Sequence, residues 1–176
     1  MEIIKTKRLV LALAEIIELP EFEPIEKECK AYFSFDPFCE KNPDWTMKEC
    51  ILKEDIPFDG KKENYYFYGI RYDKILIGFI DYYLEYQRKG IAYISSVFIN
   101  AAYRKMGIGH EVIDAVFEKF EQIGITEIRL HCSLRNVIGL RFWINRGFNQ
   151  IVSVDCNENL FPNNCGGIEL KKTLNG

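Results

Sequence analysis

Apolar positions change their spacing along the chain, and the changes mark out its elements. Arg8 to Leu13 is rich in aliphatic and β-branched residues and predicts a first strand, with Thr6 and Lys7 leading into it. Pro20 and Pro24 each suit a first helical turn, so the stretch to about Phe33 predicts one short helix or two, broken near Asp36-Pro37. Thr46-Met47-Lys48-Glu49 has the form in which Thr and Glu side chains reciprocally satisfy helix N-terminal amides, and predicts a helix to about Lys53. From Asn64 the pattern becomes that of strands: Tyr65 to Arg71, Ile75 to Glu85 and Ile91 to Ile99, with turns at Tyr72-Asp73-Lys74 and Arg88-Lys89-Gly90. These make an antiparallel meander.

A long helix follows from Gly107 to about Ile123, its stripe formed by Ile108, Val112, Val116, Phe120 and Ile123. Gly124 terminates it, and Glu127 to Cys132 reads as a strand reached by a crossover and therefore parallel. A helix from about Asn136 to Asn145 and two strands, Phe148 to Val154 and Gly167 to Lys172, complete a mixed α/β sandwich. Repeats and low-complexity tracts are absent, so residues 1–176 read as one domain.

Composition narrows the function. No apolar run approaches the roughly 20 residues of a membrane span, and Met1 to Arg8 lacks the features of a secretory signal, so a cytoplasmic protein without membrane association is expected. Cys29, Cys39, Cys50, Cys132, Cys156 and Cys165 include no Cys-x-x-Cys pair and read as reduced thiols. With only His110 and His131 as histidines, neither a metal site nor a Ser-His-Asp triad is expected. The net charge of −3 argues against a nucleic-acid binder. Residues 1–60 carry 14 acidic against 8 basic side chains, which reads first as solvated acidic helices and would also suit a cationic acceptor nearby.

The chemistry concentrates in residues 94–123, a strand, loop and helix. A helix start exposes unpaired N–H groups and partial positive charge, and so holds phosphate. Gly107 and Gly109 clear the approach, and Arg104 can add charge-assisted bonds. A Walker loop is excluded because His110-Glu111 follows Gly109, and a dinucleotide fingerprint because Val112 stands where its third glycine belongs. Gly-x-Gly alone reads equally as a helix entered through a flexible turn.

Arg104-x-x-Gly107-x-Gly109 directly after a strand resembles the signature of the GNAT superfamily of N-acetyltransferases. Asn136 followed by Gly139 to Phe148 is similar to the family's Asn-helix-Gly-Phe segment, and Thr6 to Leu11 to the opening strand of many relatives. The resemblance implies a GNAT-like acyl-CoA N-acyltransferase fold, a mixed and mostly antiparallel splayed sheet flanked by helices. It also implies acetyl-coenzyme A as acyl donor, without a metal, and direct transfer to the primary amine of a small molecule or peptide. The cofactor would lie against Val97, Phe98, Ile99, Arg104, Lys105, Met106, Gly107, Ile108, Gly109 and His110, with Asn136 and Phe142 bordering its arm.

The sequence departs from the family in two places. Trp143 stands where many relatives have a tyrosine thought to protonate the leaving thiolate, and indole is no acid. Ser95 or Ser96 replaces an acidic residue often found on the central strand. That leaves Asp81 and Glu85, which alternation places on one face, as candidate bases, or else as ordinary exposed strand carboxylates. Cys132 reads as a buried strand thiol rather than a nucleophile. A non-catalytic acyl-CoA-binding protein is the rival reading, and exposed strand edges leave room for a homodimer.

Overall fold

The computed structural model describes residues 3–34, 45–57, 59–155 and 166–174. The break at Asp36-Pro37 and the thiols Cys39, Cys156 and Cys165 lie outside the described residues. Strands β1 (Ile3–Lys5), β2 (Leu9–Leu13), β3 (Tyr65–Tyr72), β4 (Ile75–Leu84), β5 (Ile91–Ile99), β6 (Glu127–Ser133), β7 (Gln150–Asp155) and β8 (Gly167–Thr173) form one sheet. Its order is β1-β2-β3-β4-β5-β6-β8-β7. Every neighbouring pair is antiparallel except β5 and β6, the pair joined by the crossover. Helices α1 (Leu19–Tyr32), α2 (Met47–Ile51), α3 (Ile108–Gln122) and α4 (Val137–Asn145) flank it. Among the described residues no helix is long and apolar enough to cross a membrane.

Both faces of the central strands are covered, and alternation divides their side chains between two cores. Tyr68, Ile70, Ile80, Tyr82 and Ile94 pack under α3 against Val112, Val116 and Phe120. Tyr65, Phe67, Phe79, Tyr83 and Phe98 pack under α1 and α2 against Phe22, Ile25 and Met47. The meander is as expected, and its first turn is the two-residue loop Asp73-Lys74, both with φ positive at 46° and 70°. That twist matches the twist of the flanking strands.

Of the one or two helices expected before Phe33, one forms, with Pro20 in its first turn; three finer expectations need correction. Pro24 lies inside that helix rather than in a first turn. Burial of Phe22, Ile25 and Cys29 against the sheet holds the helix through the hydrogen bond that Pro24 removes. Thr6 and Lys7 do not simply lead into a strand: they form the turn between β2 and an additional strand, β1, which pairs Ile3 with Ala12. Ile123 is 43% exposed, because the chain leaves the helix there; Ile113 and Phe117 complete the buried face of α3. The capping box at Thr46 forms as expected, with Thr46 Oγ1 accepting from Glu49 N and Glu49 accepting from Thr46 N.

Strands β5 and β6 pair only at Ile91–Glu127, Ala92–Ile128 and Tyr93–Arg129, and then part. The cause lies on the other side of β5. Asp81 pairs with Ser96 and Tyr82 with Ile94, so Ser95 is an extra residue, and such a bulge bends and twists its strand. From Ile94 to Ile99 the edge of β5 that would face β6 has no strand partner among the described residues.

Gly78 lets β4 and β5 run close together, since a Cβ there would overlap the Phe98 carbonyl oxygen. Backbone cannot rotate out of the way, so Gly78→Ala should destabilise the fold by about 1–3 kcal/mol in urea unfolding. An unchanged midpoint would show that the strands can separate there at no cost.

Candidate functional site

The loop after β5 is shaped for an anion. Asn100 caps a short turn by accepting from Ala102 N at 3.0 Å, and the chain then passes through Lys105 at φ 61° and Gly107 at φ 76° into α3. The left-handed N-cap conformation at Gly107 explains a glycine there. Gly107 has no side chain to cap the helix, and the first intrahelical bond runs from Glu111 N to Gly107 O. The amides of Ile108, Gly109 and His110 therefore precede the helical ladder. A Cβ at Gly109 would lie 3.5 Å from the Phe142 ring, an ordinary contact, so alanine would fit as well.

The other expected cofactor residues fall into distinct roles. Lys105 and Met106 are exposed on the loop, whereas the Ile108 side chain is core and offers only its amide. The Phe142 ring lies 5.2 Å from that of His110, bringing α4 beside the start of α3. Val97, Phe98 and Ile99 turn their side chains into the two cores, leaving their backbone along the unpaired edge of β5. Asn136 caps α4, its Oδ1 accepting from Gly139 N at 2.9 Å.

Arg104 is engaged within the protein. Its Nε donates to Ile99 O at 2.7 Å, its Nη2 lies 3.5 Å from Glu28 Oε1, and its guanidinium stacks over Tyr32 and Phe98. Glu28 also accepts from Asn100 Nδ2 and Ala101 N. These bonds fasten the loop to α1. A cation that sequence reading did not assign to the site, Arg8, lies beside the helix start, donating from Nη1 to Met106 O at 3.1 Å. Spacing could not reveal it, because the two residues are 98 positions apart.

The two candidate bases separate. Glu85 lies beyond β4 at φ 58° and is exposed, so alternation does not extend to it. Asp81 is only 5% exposed, contrary to the reading as a surface carboxylate, because α1 and α2 cover its face of the sheet. The Tyr65 hydroxyl donates to Asp81 Oδ2 at 3.0 Å, while Oδ1 has no hydrogen-bond partner among the described residues. Burial pushes the carboxyl from an ordinary 3.8 up to about 7, although the Tyr65, Ser95 and Ser96 hydroxyls beside it pull it down and the Asp55 charge adds to the rise. Burial and the neighbouring Asp81 hold Tyr65 far above its usual range, so it remains a donor. Asp81 thus stands one strand from the bulge where β5 leaves β6.

Trp143 is 8% exposed and edge-on to Phe142 and Phe148, a packing residue of the core under α3. Cys132 is likewise buried, its thiol directed at the carbonyls of Ser133 and Asn136.

A parting in a mixed sheet thus lies beside an uncapped helix start, with a buried carboxylate one strand away. The chain belongs to the GNAT acetyltransferase family, whose profile it matches over residues 21–148. No curated protein matches it by sequence. Among solved structures it is similar to RimL, a ribosomal L7/L12 alpha-N-protein acetyltransferase in complex with coenzyme A, with a TM-score of 0.74 at 15% identity over 98% of each chain. It is also similar to the microcin C7 self-immunity acetyltransferase MccE in complex with acetyl-CoA and AMP, with a TM-score of 0.72 at 15% identity, covering 96% of this chain and 94% of that one. The Escherichia coli ribosomal-protein-S18-alanine N-acetyltransferase gives 0.67 at 13% identity over 96% of each chain.

Burying Asp81 has a thermodynamic signature. Its pKa is higher folded than unfolded, so its contribution to stability is most favourable below about pH 4, declines as pH rises to about 7 and is level above. Asp81→Asn removes this decline. The variant should therefore gain roughly 1–4 kcal/mol on the parent between pH 4 and 8. Parallel stability curves across that range would mean that Asp81 is solvated.

Proposed function

We propose that this chain transfers an acetyl group from acetyl-coenzyme A directly to a primary amine, with Asp81 as general base. The observation that carries the reading is the buried Asp81 carboxyl one strand from the parting of β5 and β6, with one oxygen left unbonded among the described residues.

The residues present fit the cofactor. The amides of Ile108, Gly109 and His110 offer donors to a diphosphate, and the unpaired edge of β5 at Val97, Phe98 and Ile99 offers backbone partners to a peptide-like arm. Bound there, the cofactor would supply an activated thioester for attack by the acceptor nitrogen. Asp81 accepts the amine proton, directly or through one water, and a pKa of about 7 suits a base working near neutrality. Tyr65 holds Oδ2, which leaves Oδ1 for that proton. Trp143, packed into the core, gives no proton, and solvent supplies the one required on departure.

An amine acceptor is supported by the base itself, since an ammonium group must lose its proton before it can attack. The Asp55 charge felt at Asp81 also favours a cation in that space. Trp143 at the usual acid position favours the rival reading of a binding protein without turnover, and the following experiment separates the two.

Acetyl-CoA-dependent thiol release should be measured across a panel of diamines, amino acids and peptides. Activity should rise through about pH 7 to a plateau, and Asp81→Asn should lose roughly 10²-fold or more of kcat/KM while retaining coenzyme A binding. Tyr65→Phe removes a bond to the carboxylate and should move the midpoint upward. Coenzyme A binding with no product from any acceptor would establish the rival. Full activity in Asp81→Asn would remove Asp81 from the reaction.

A further inference from the structure

The turn between β1 and β2 contains a group of bonds that the reaction as read above leaves unused. Glu111 lies in the first turn of α3, four residues beyond the Gly107 N-cap. A carboxylate there suits the helix dipole but opposes any anion that binds the same amides. It does not stand alone. Thr6 Oγ1 donates to Glu111 Oε1, Arg8 N donates to the same oxygen at 3.0 Å, and Arg8 Nε and Nη2 each reach Oε2 at 2.7 Å. Burial works to raise the Glu111 pKa, but these bonds from Thr6 and Arg8 prevail and hold it below the usual range. The negative charge is therefore permanent at working pH.

Arg8 reaches further than Glu111. Its Nη1 donates to Met106 O at 3.1 Å, and its Nη2 would lie 3.8 Å from a Cβ placed on Gly107. The guanidinium thus spans the left-handed turn and the first helical turn, with a planar fork that a lysine cannot reproduce. The assembly is anchored. Thr6 Oγ1 accepts from Leu9 N at 2.9 Å, and Leu9 and Leu11 are fully buried.

We propose that Arg8 is a positioning residue of the cofactor site, cancelling the charge of Glu111 so that the start of α3 remains favourable to a diphosphate. The inference rests on the reading of that helix start as the coenzyme A site. It gives Thr6-x-Arg8 a role: this turn prepares an anion site that it does not itself fill.

The test is calorimetric titration with coenzyme A, alongside thermal melting, of the parent chain, Arg8→Gln, Glu111→Gln, the double variant and Arg8→Lys. Arg8→Gln leaves Glu111 uncompensated and should weaken binding about tenfold. The double variant removes both charges and should return to within about threefold of the parent, despite having fewer hydrogen bonds and a lower Tm. Arg8→Lys keeps the charge while losing the fork, and should bind within about threefold even if Arg8→Gln fails to fold. Unchanged binding by Arg8→Gln, a double variant no better than the single one, or Arg8→Lys no better than Arg8→Gln would each overturn the proposal. Absence of binding by the parent chain would instead remove the cofactor site, and this inference with it.

Discussion

The rest of the molecule depends on the parting of β5 from β6. Three parallel pairs hold the two strands together, and one extra residue, Ser95, turns β5 away. Backbone groups in a sheet interior are almost always paired, so an edge released in the middle of a sheet requires another partner. The same bend carries the chain into the loop that opens α3, and it lies one strand from Asp81. A single bulge therefore sets three things: the open edge, the entry to the anion site and the place where a buried carboxylate meets the gap.

Much of this was legible in the sequence, for physical reasons that also mark where legibility ends. The strands of the meander and the amphipathic α3 declare themselves by their period, and the Thr46 helix by its capping box. The loop declares itself by glycines after a strand. Three-residue β1 is too short for any period to show, and Pro24 misleads because local preference yields to burial of Phe22 and Ile25. The two carboxylates were harder still. Alternation says that Asp81 faces one side of β4 but not that helices cover that side, and it fails at Glu85, where the backbone turns left-handed. Nor could spacing show that Arg104 reaches Glu28, 76 residues away, or that Arg8 reaches Met106, 98 residues away.

The two faces of the sheet differ in what they cost the fold. Each face buries tyrosines and a thiol, Tyr68, Tyr82 and Cys132 under α3 and Tyr65, Tyr83 and Cys50 under α1 and α2, but the second face also accepts the carboxyl of Asp81. An unsatisfied carboxylate oxygen in such surroundings is a local weakness. Proteins retain such groups where a proton must move, and the pairing with Tyr65 confines the weakness to one oxygen.

Glu28 gives the arrangement one more consequence. It sits on α1, yet it holds Asn100, Ala101 and Arg104 in the loop after β5, so the helix over one face is latched to the loop that leads into α3 over the other. The α1 segment is consequently not a detachable module. Grafting the α1 region of a relative onto this scaffold, or allowing it to drift over evolutionary time, would disturb the donor loop unless the newcomer brought a carboxylate to the same spot.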